Sequence, residues 1–218
     1  MTSYDRRAIR LAVGLSCLAG YVDASGFLGT GGLFVSFMSG NSTRLSIAAA
    51  EGRWVAMGLI LGLIGLFVLG VVLGSVVARW YSHRHKPAVL LFVLGTLLLA
   101  AVLHTFGVPS LSTALLVVAM GAENAVFQRD GEVTIGLTYM TGTLVKLGQQ
   151  VALSFFGGSK MSWTPYAIHW LGLVVGAILG ALGHEQLRAL TLWPAVAGAA
   201  ALWAYSRTLR PASVSPAT

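Results

Sequence analysis

The sequence predicts an all-α polytopic membrane protein built from two homologous halves. Three observations predict it: charge is scarce, the apolar stretches are long enough to cross a bilayer, and polar landmarks recur along the chain. Of 218 residues, 56% are hydrophobic and 10% are charged, with a mean hydropathy of +0.79. A soluble domain carries about 25% charged residues because its surface faces water, and roughly 200 residues suffice to bury a core inside such a shell. Lipid is therefore the solvent this surface fits. The 27 glycines agree, since glycine is favoured where membrane helices pack closely. Disordered, collagenous and disulfide-scaffold classes are excluded, and the lone Cys17 can form no intrachain bridge.

A helix crossing a ~30 Å hydrocarbon core needs about 20 apolar residues. Arg6, Arg7 and Arg10 look like the start of a signal peptide, but no small-x-small cleavage site leads into a soluble domain, so Leu11 to Leu28 reads as a retained span. Trp54 to Trp80, Pro87 to Gly107, Ser112 to Phe127, Pro165 to Leu187 and Leu190 to Tyr205 read as further spans. Two segments are of another kind. Leu33 to Ala50 contains Ser-Gly-Asn-Ser-Thr-Arg, and Thr134 to Phe156 contains Thr-Gly-Thr with Lys146. Gly29-Thr30-Gly31-Gly32 reads as a turn. The connectors are short, so residues 1–218 form a single transmembrane domain, with a disordered tail over 211–218.

The landmarks repeat. Gly20-Tyr21-Val22-Asp23-Ala24 is echoed by Gly121-Ala122-Glu123-Asn124-Ala125. Phe37-Met38-Ser39-Gly40-Asn41 with Arg44-Leu45 is echoed by Tyr139-Met140-Thr141-Gly142-Thr143 with Lys146-Leu147, and Gly70 and Gly74 by Gly176 and Gly180. The repeats cover about 1–107 and 108–210. Charge bias arbitrates between topologies. Eight crossings, with parallel repeats, place Arg6, Arg7, Arg10, Arg53, Lys160, Arg207 and Arg210 inside against Arg79, Arg84, Lys86, Arg129 and Arg188 outside, which is hardly a bias. Six crossings, with the two unusual segments broken or re-entrant, leave only Arg53 and Arg188 outside. That pattern fits the positive-inside rule, makes the repeats inverted and puts the N-terminus in the cytoplasm.

An ionised side chain near the bilayer centre costs at least ~2.5 kcal/mol, so it needs a partner, a cavity or a function. Asp23, Arg44, Glu123 and Lys146 sit in apolar stretches as one acid and one base per half. Two readings are open. They form buried ion pairs, Asp23 with Arg44 and Glu123 with Lys146, or they line a polar pathway in which Asp23 or Glu123, with Asn124, couples a proton or ion. Glycine among hydroxyl and amide neighbours marks a helix break, and a half-helix beginning there aims free N–H groups at an anion or small solute. Ser39, Gly40, Asn41, Thr43, Arg44, Thr141, Gly142, Thr143 and Lys146 are then the substrate-binding candidates. The alternative is a tight glycine crossing whose Ser and Thr bond their own helix.

Other features are weaker. Gly70, Gly74, Gly172, Gly176 and Gly180 form small-residue faces for internal packing or, alternatively, a homo-oligomer. His104 and His169 read as interfacial histidines without a metal partner. His83, Arg84, His85 and Lys86 read as solvated charge or a lipid-headgroup contact. The net charge of +7 follows from membrane orientation, and no basic patch interleaved with aromatics points to nucleic acid. No catalytic constellation, cofactor fingerprint or metal-ligand spacing is present, so the chain does not read as an enzyme.

At the two repeated motifs, Gly20-Tyr21-Val22-Asp23-Ala24 and Phe34-Val35-Ser36-Phe37-Met38-Ser39-Gly40-Asn41-Ser42-Thr43-Arg44 with its echo Tyr139-Met140-Thr141-Gly142-Thr143, the sequence resembles the YoaK-like family of bacterial inner-membrane proteins, a domain of unknown function. The resemblance covers nearly the whole chain. It implies about six spans in the inner membrane and no substrate; Ser39 and Ser42 stand where threonine is as frequent. The expected function is a transporter or channel for a small polar or anionic solute, with the lipid bilayer as surroundings. A non-transporting membrane scaffold or partner subunit is the competing class, and an intramembrane lipid-modifying enzyme a more distant one.

Overall fold

The computed structural model describes residues 5–129 and 132–209. Arg210 and the tail over 211–218 lie outside the described residues. Among the described residues the chain forms eight α-helices: α1 (Arg6–Gly29), α2 (Met38–Ala50), α3 (Trp54–Trp80), α4 (His85–Thr105), α5 (Pro109–Glu123), α6 (Met140–Phe155), α7 (Thr164–Leu187) and α8 (Trp193–Ser206). Single 3-10 turns extend α5 over Asn124–Phe127 and join α3 to α4 and α7 to α8. A two-residue antiparallel pairing, Gln128 with Val133, follows α5.

Local chemistry sets the helix ends. Prolines open α5, α7 and α8, where a missing N–H costs nothing. Gly52 and Gly107, with φ of 68° and 77°, turn the chain after α2 and α4 in a conformation other residues rarely adopt. Trp54 and Trp80 stand exposed at the two ends of α3, as aromatic belts do at both interfaces of a membrane.

Five helical stretches are long and apolar enough to cross a membrane: 6–29, 54–80, 82–105, 109–127 and 164–190. The expected span from Leu190 to Tyr205 differs. Its helix, α8, has 14 residues, about 21 Å of rise against a ~30 Å core, because a 3-10 turn takes up its start. The helix breaks are also displaced from their expected places. Residues 30–37 and 134–139 are the non-helical backbone, while Ser39-Gly40-Asn41 and Thr141-Gly142-Thr143 form the first turns of α2 and α6.

The centre of the bundle is α1, α4 and α5, whose Leu11, Leu15, Val22, Val93, Leu97, Val117 and Met120 join one buried cluster. Within the spanning windows 72% of α5 and 61% of α1 are buried, against 17% of α3 and 22% of α7, so the last two are the lipid-facing helices. The glycine faces work inside the chain. A Cβ at Gly176 or Gly180 would overlap the backbone of Cys17 or Tyr21 on α1, and one at Gly70 or Gly74 that of Val118 or Ala122 on α5. Gly20 and Gly121 reciprocate, against α7 and α3.

The same contacts fix direction. Val13, Cys17 and Tyr21 meet Gly172, Gly176 and Gly180 in ascending order, so α1 and α7 run parallel, and α3 and α5 likewise. Leu202 packs on Gly14 and the Tyr205 hydroxyl reaches the Arg7 carbonyl, so α8 runs against α1. The start of α8 meets the end of α4, where the Thr105 hydroxyl donates to the Ala189 carbonyl and Trp193 Nε1 donates to Thr105. The Tyr21 hydroxyl donates to the Thr191 carbonyl in the same region. Hence α4 runs in the direction of α1.

Candidate functional site

The irregular segment between α1 and α2 carries backbone groups that no helix satisfies, and two side chains take them up. Asp23 Oδ1 accepts the Val35 and Ser36 N–H groups at 2.8 and 2.7 Å. Asn41 grips Phe34 from both sides: its Oδ1 accepts the Phe34 N–H at 3.0 Å, and its Nδ2 donates to the Phe34 carbonyl at 2.7 Å. Asn41 is fully buried in doing so. At membrane depth non-helical backbone persists only when its polar groups are paired or wet, so Asp23 and Asn41 are the means by which this chain holds it. Aromatic rings close the segment, with Phe34 tilted against Phe27 and edge-on to Phe37. Gly40 sits where a Cβ would strike the Phe37 ring.

In the second half the same place is held differently. Thr138 Oγ1 donates to Asn124 Oδ1 at 3.4 Å, and Asn124 Nδ2 donates to the Met120 carbonyl. Ser16 on α1 donates to the Leu137 carbonyl, and His169 Nε2 lies 3.4 Å from that of Gly136. His169 is therefore not interfacial: it is fully buried on α7, drawn in by the irregular backbone beside it. In the register that matches Gly20 to Gly121, Asp23 falls opposite Asn124 and Val22 opposite Glu123. The acids Asp23 and Glu123 are thus not counterparts.

Neither expected ion pair forms. Arg44 is exposed, with its guanidinium 5.5 Å from the centre of the Phe27 ring and close to Gly32. Lys146 is exposed on α6. The ion pair among the described residues joins Arg53 to Glu51 at 2.6 Å in the exposed α2–α3 turn. Glu123 is completely buried, and neither carboxyl oxygen has a hydrogen-bond partner among the described residues.

Gly40, Thr43 and Arg44 line an open cleft of about 680 Å³ between residues 31–33, α2 and the start of α3. Arg53 also faces it; sequence reasoning assigned this residue to a loop, because a turn of the chain, not helical spacing, carries it there. Ser39 is exposed and its carbonyl accepts the Thr43 hydroxyl, while the Ser42 and Thr143 hydroxyls bond the Met38 and Tyr139 carbonyls. A hydroxyl donor spent on its own helix cannot serve an anion. The cleft's donors are therefore the two guanidiniums. Thr141, Gly142 and Lys146 are exposed on α6 away from this cleft.

The sequence from 11 to 205 matches a family described as "Protein of unknown function (DUF1275)". The chain is 38% identical over 185 residues to the UPF0700 transmembrane protein RA0705 of Rhizobium meliloti (strain 1021), covering 85% of this chain and 80% of that protein. It is 27% identical to the UPF0700 transmembrane protein YoaK of Bacillus subtilis (strain 168), covering 82% and 85%. No solved structure matches the chain. Relatives that are transmembrane proteins agree with five apolar helices of spanning length, and the chain belongs to the DUF1275 family of membrane proteins.

Proposed function

We propose that the protein moves a small polar or anionic solute across a bacterial inner membrane, without making or breaking covalent bonds. The observation that carries this reading is the cleft at the irregular segment, where Arg44 and Arg53 face one open space; Arg53 is paired with Glu51, so Arg44 is the lining guanidinium with no carboxylate partner among the described residues. Guanidiniums are suited to carboxylate or phosphate oxygens, which they bind through two parallel N–H groups.

The proposed topology is six crossings in two inverted halves with the N-terminus in the cytoplasm, the sixth made by the short α8 together with the 3-10 turn that precedes it. Helix directions support it. With α1 and α4 running the same way and α3 against α4, helix α2 makes no net crossing. Each matched pair, α1 with α5, α3 with α7 and α4 with α8, then points in opposite senses. In this reading Glu123 is the coupling group. An isolated carboxylate in a dry interior costs several kcal/mol or more, so a proton or cation accompanies it, and exchanging that companion couples the site to a gradient. Asp23 and Asn124 act as positioning residues for the irregular segments.

A second reading, a non-transporting scaffold or partner subunit, is favoured by one observation: Asp23, Asn41, Ser42, Thr43 and Thr143 all spend hydrogen bonds on the chain's own backbone. Reconstitution separates the two. Proteoliposomes loaded with labelled phosphate, sulfate or short carboxylates should show flux of at least one of them, and Arg44→Ala should lower that flux tenfold or more while thermal unfolding stays unchanged. Flux that Arg44→Ala leaves intact removes the cleft from the pathway; no flux of any probe favours the scaffold.

A further inference from the structure

At the opposite end of α3 from the Arg44 cleft, a groove of about 1680 Å³ opens between the end of α3, the start of α4 and the end of α8. Arg79, His83, Arg84 and Lys86 reach its mouth from the α3–α4 hairpin, and Arg207 reaches it from beyond α8. No Asp or Glu stands among its described lining residues. Two of the cations rest on ring faces: Lys86 Nζ lies 5.1 Å from the Phe127 ring centre, and the Arg207 guanidinium 5.1 Å from that of Trp203. Rings orient a cation without neutralising it, so like charges converge here with no compensating carboxylate among the described lining residues.

The wall of the groove changes character away from that mouth. Val72, Val76 and Leu91 line it and remain exposed. From Val72 to Arg79 the helix rises about 10 Å, which separates an apolar wall from a basic rim by about the depth of a lipid headgroup region. A soluble anion would use the rim and leave the wall idle. One ligand class uses both.

We propose that this groove binds an anionic phospholipid, its phosphodiester against Arg84, Lys86 and Arg207 and an acyl chain along Val72, Val76 and Leu91. Basic pockets at helix ends are a recurring form of such recognition. The proposal needs only a membrane location and stands whether or not the protein transports anything.

Trp203 lines the groove and serves as the reporter. The full chain is placed in nanodiscs containing brominated phosphatidylglycerol or brominated phosphatidylcholine at equal mole fraction, and Trp203→Phe isolates the emission of interest. Brominated phosphatidylglycerol should quench the Trp203 emission at lower mole fraction than phosphatidylcholine. Removing Arg84 and Lys86 together (Arg84→Gln, Lys86→Gln) should lower that preference about fivefold per charge. The charge-preserving exchange, Arg84→Lys with Lys86→Arg, should keep it. Equal quenching by the two lipids in the unmodified protein overturns the proposal, a result that requires no variant to fold. Relief of quenching by millimolar inorganic phosphate or glycerol 3-phosphate overturns it too, since the site would then be one for a soluble anion.

Discussion

Asn41 holds a stretch of irregular chain that has no helical partner, and its two hydrogen bonds to Phe34 set the cost of losing it. Truncation leaves the part-buried N–H and carbonyl of Phe34 unpaired, at about 1 to 2 kcal/mol each. Asn41→Ala should therefore lower stability by about 2 to 4 kcal/mol, measured by denaturation in detergent. Asp23→Asn should be tolerated within about 1 kcal/mol, because the amide oxygen still accepts the Val35 and Ser36 N–H groups and Asn124 already stands at the matching position. Asp23→Ala should not be tolerated. Glu123 poses the reverse case. Its carboxyl is buried without a hydrogen bond among the described residues while its counterpart is Val22, so Glu123→Val should raise the unfolding temperature and, if Glu123 couples transport, abolish dependence on a proton gradient. A fall in unfolding temperature would show that the carboxyl has a stabilising partner. All three residues are conspicuous in sequence as polar groups in apolar runs. Their partners are not, since the backbone of a nearby irregular segment leaves no periodic trace.

The helix pairs rest on glycine in a way that separates close contact from mere composition. Gly176 and Gly180 touch the α1 backbone, whereas Gly58, Gly62 and Gly65 on α3 have no atom within 4 Å of a Cβ placed on them. Gly176→Leu should separate α1 from α7 and remove more than about 3 kcal/mol, because backbone cannot yield as a flexible side chain does. Gly62→Ala on the lipid-facing side of α3 should be neutral or stabilising by up to about 1 kcal/mol, through helix propensity alone. Equal effects of the two on thermal unfolding would contradict the packing described. Gly70 and Gly74, matched in sequence with Gly176 and Gly180, all meet backbone of a neighbouring helix, whereas of the matched Gly40 and Gly142 only Gly40 has an atom within 4 Å of an added Cβ. Span positions were legible from hydropathy for α1, α3, α4, α5 and α7. The length of α8 and the starts of α2 and α6 were not, because Leu190-Thr191-Leu192 and the irregular entries over 33–37 and 134–139 keep apolar residues although they are not α-helical.

For the whole molecule, six and eight crossings differ in where two turns lie. Residues 51–53 follow α2, and residues 156–163 follow α6. If α2 and α6 each cross, both turns share one side of the membrane; if neither does, the turns lie on opposite sides. The charge count leans on Arg53 and Lys160, which stand in these turns, so it cannot check itself. The direction of α4 is independent of charge: its end meets the start of α8 through Thr105, Ala189 and Trp193, in the region where Tyr21 of α1 meets Thr191. Two helices that run the same way, with α3 running back between them, support the proposed topology, in which α2 makes no net crossing. With Cys17 replaced by alanine, single cysteines placed at Gly52 and at Ser159 should react with a membrane-impermeant maleimide from opposite faces of intact cells, Gly52 from outside and Ser159 only after permeabilisation. Labelling of both from one face would restore the eight-crossing arrangement with parallel halves.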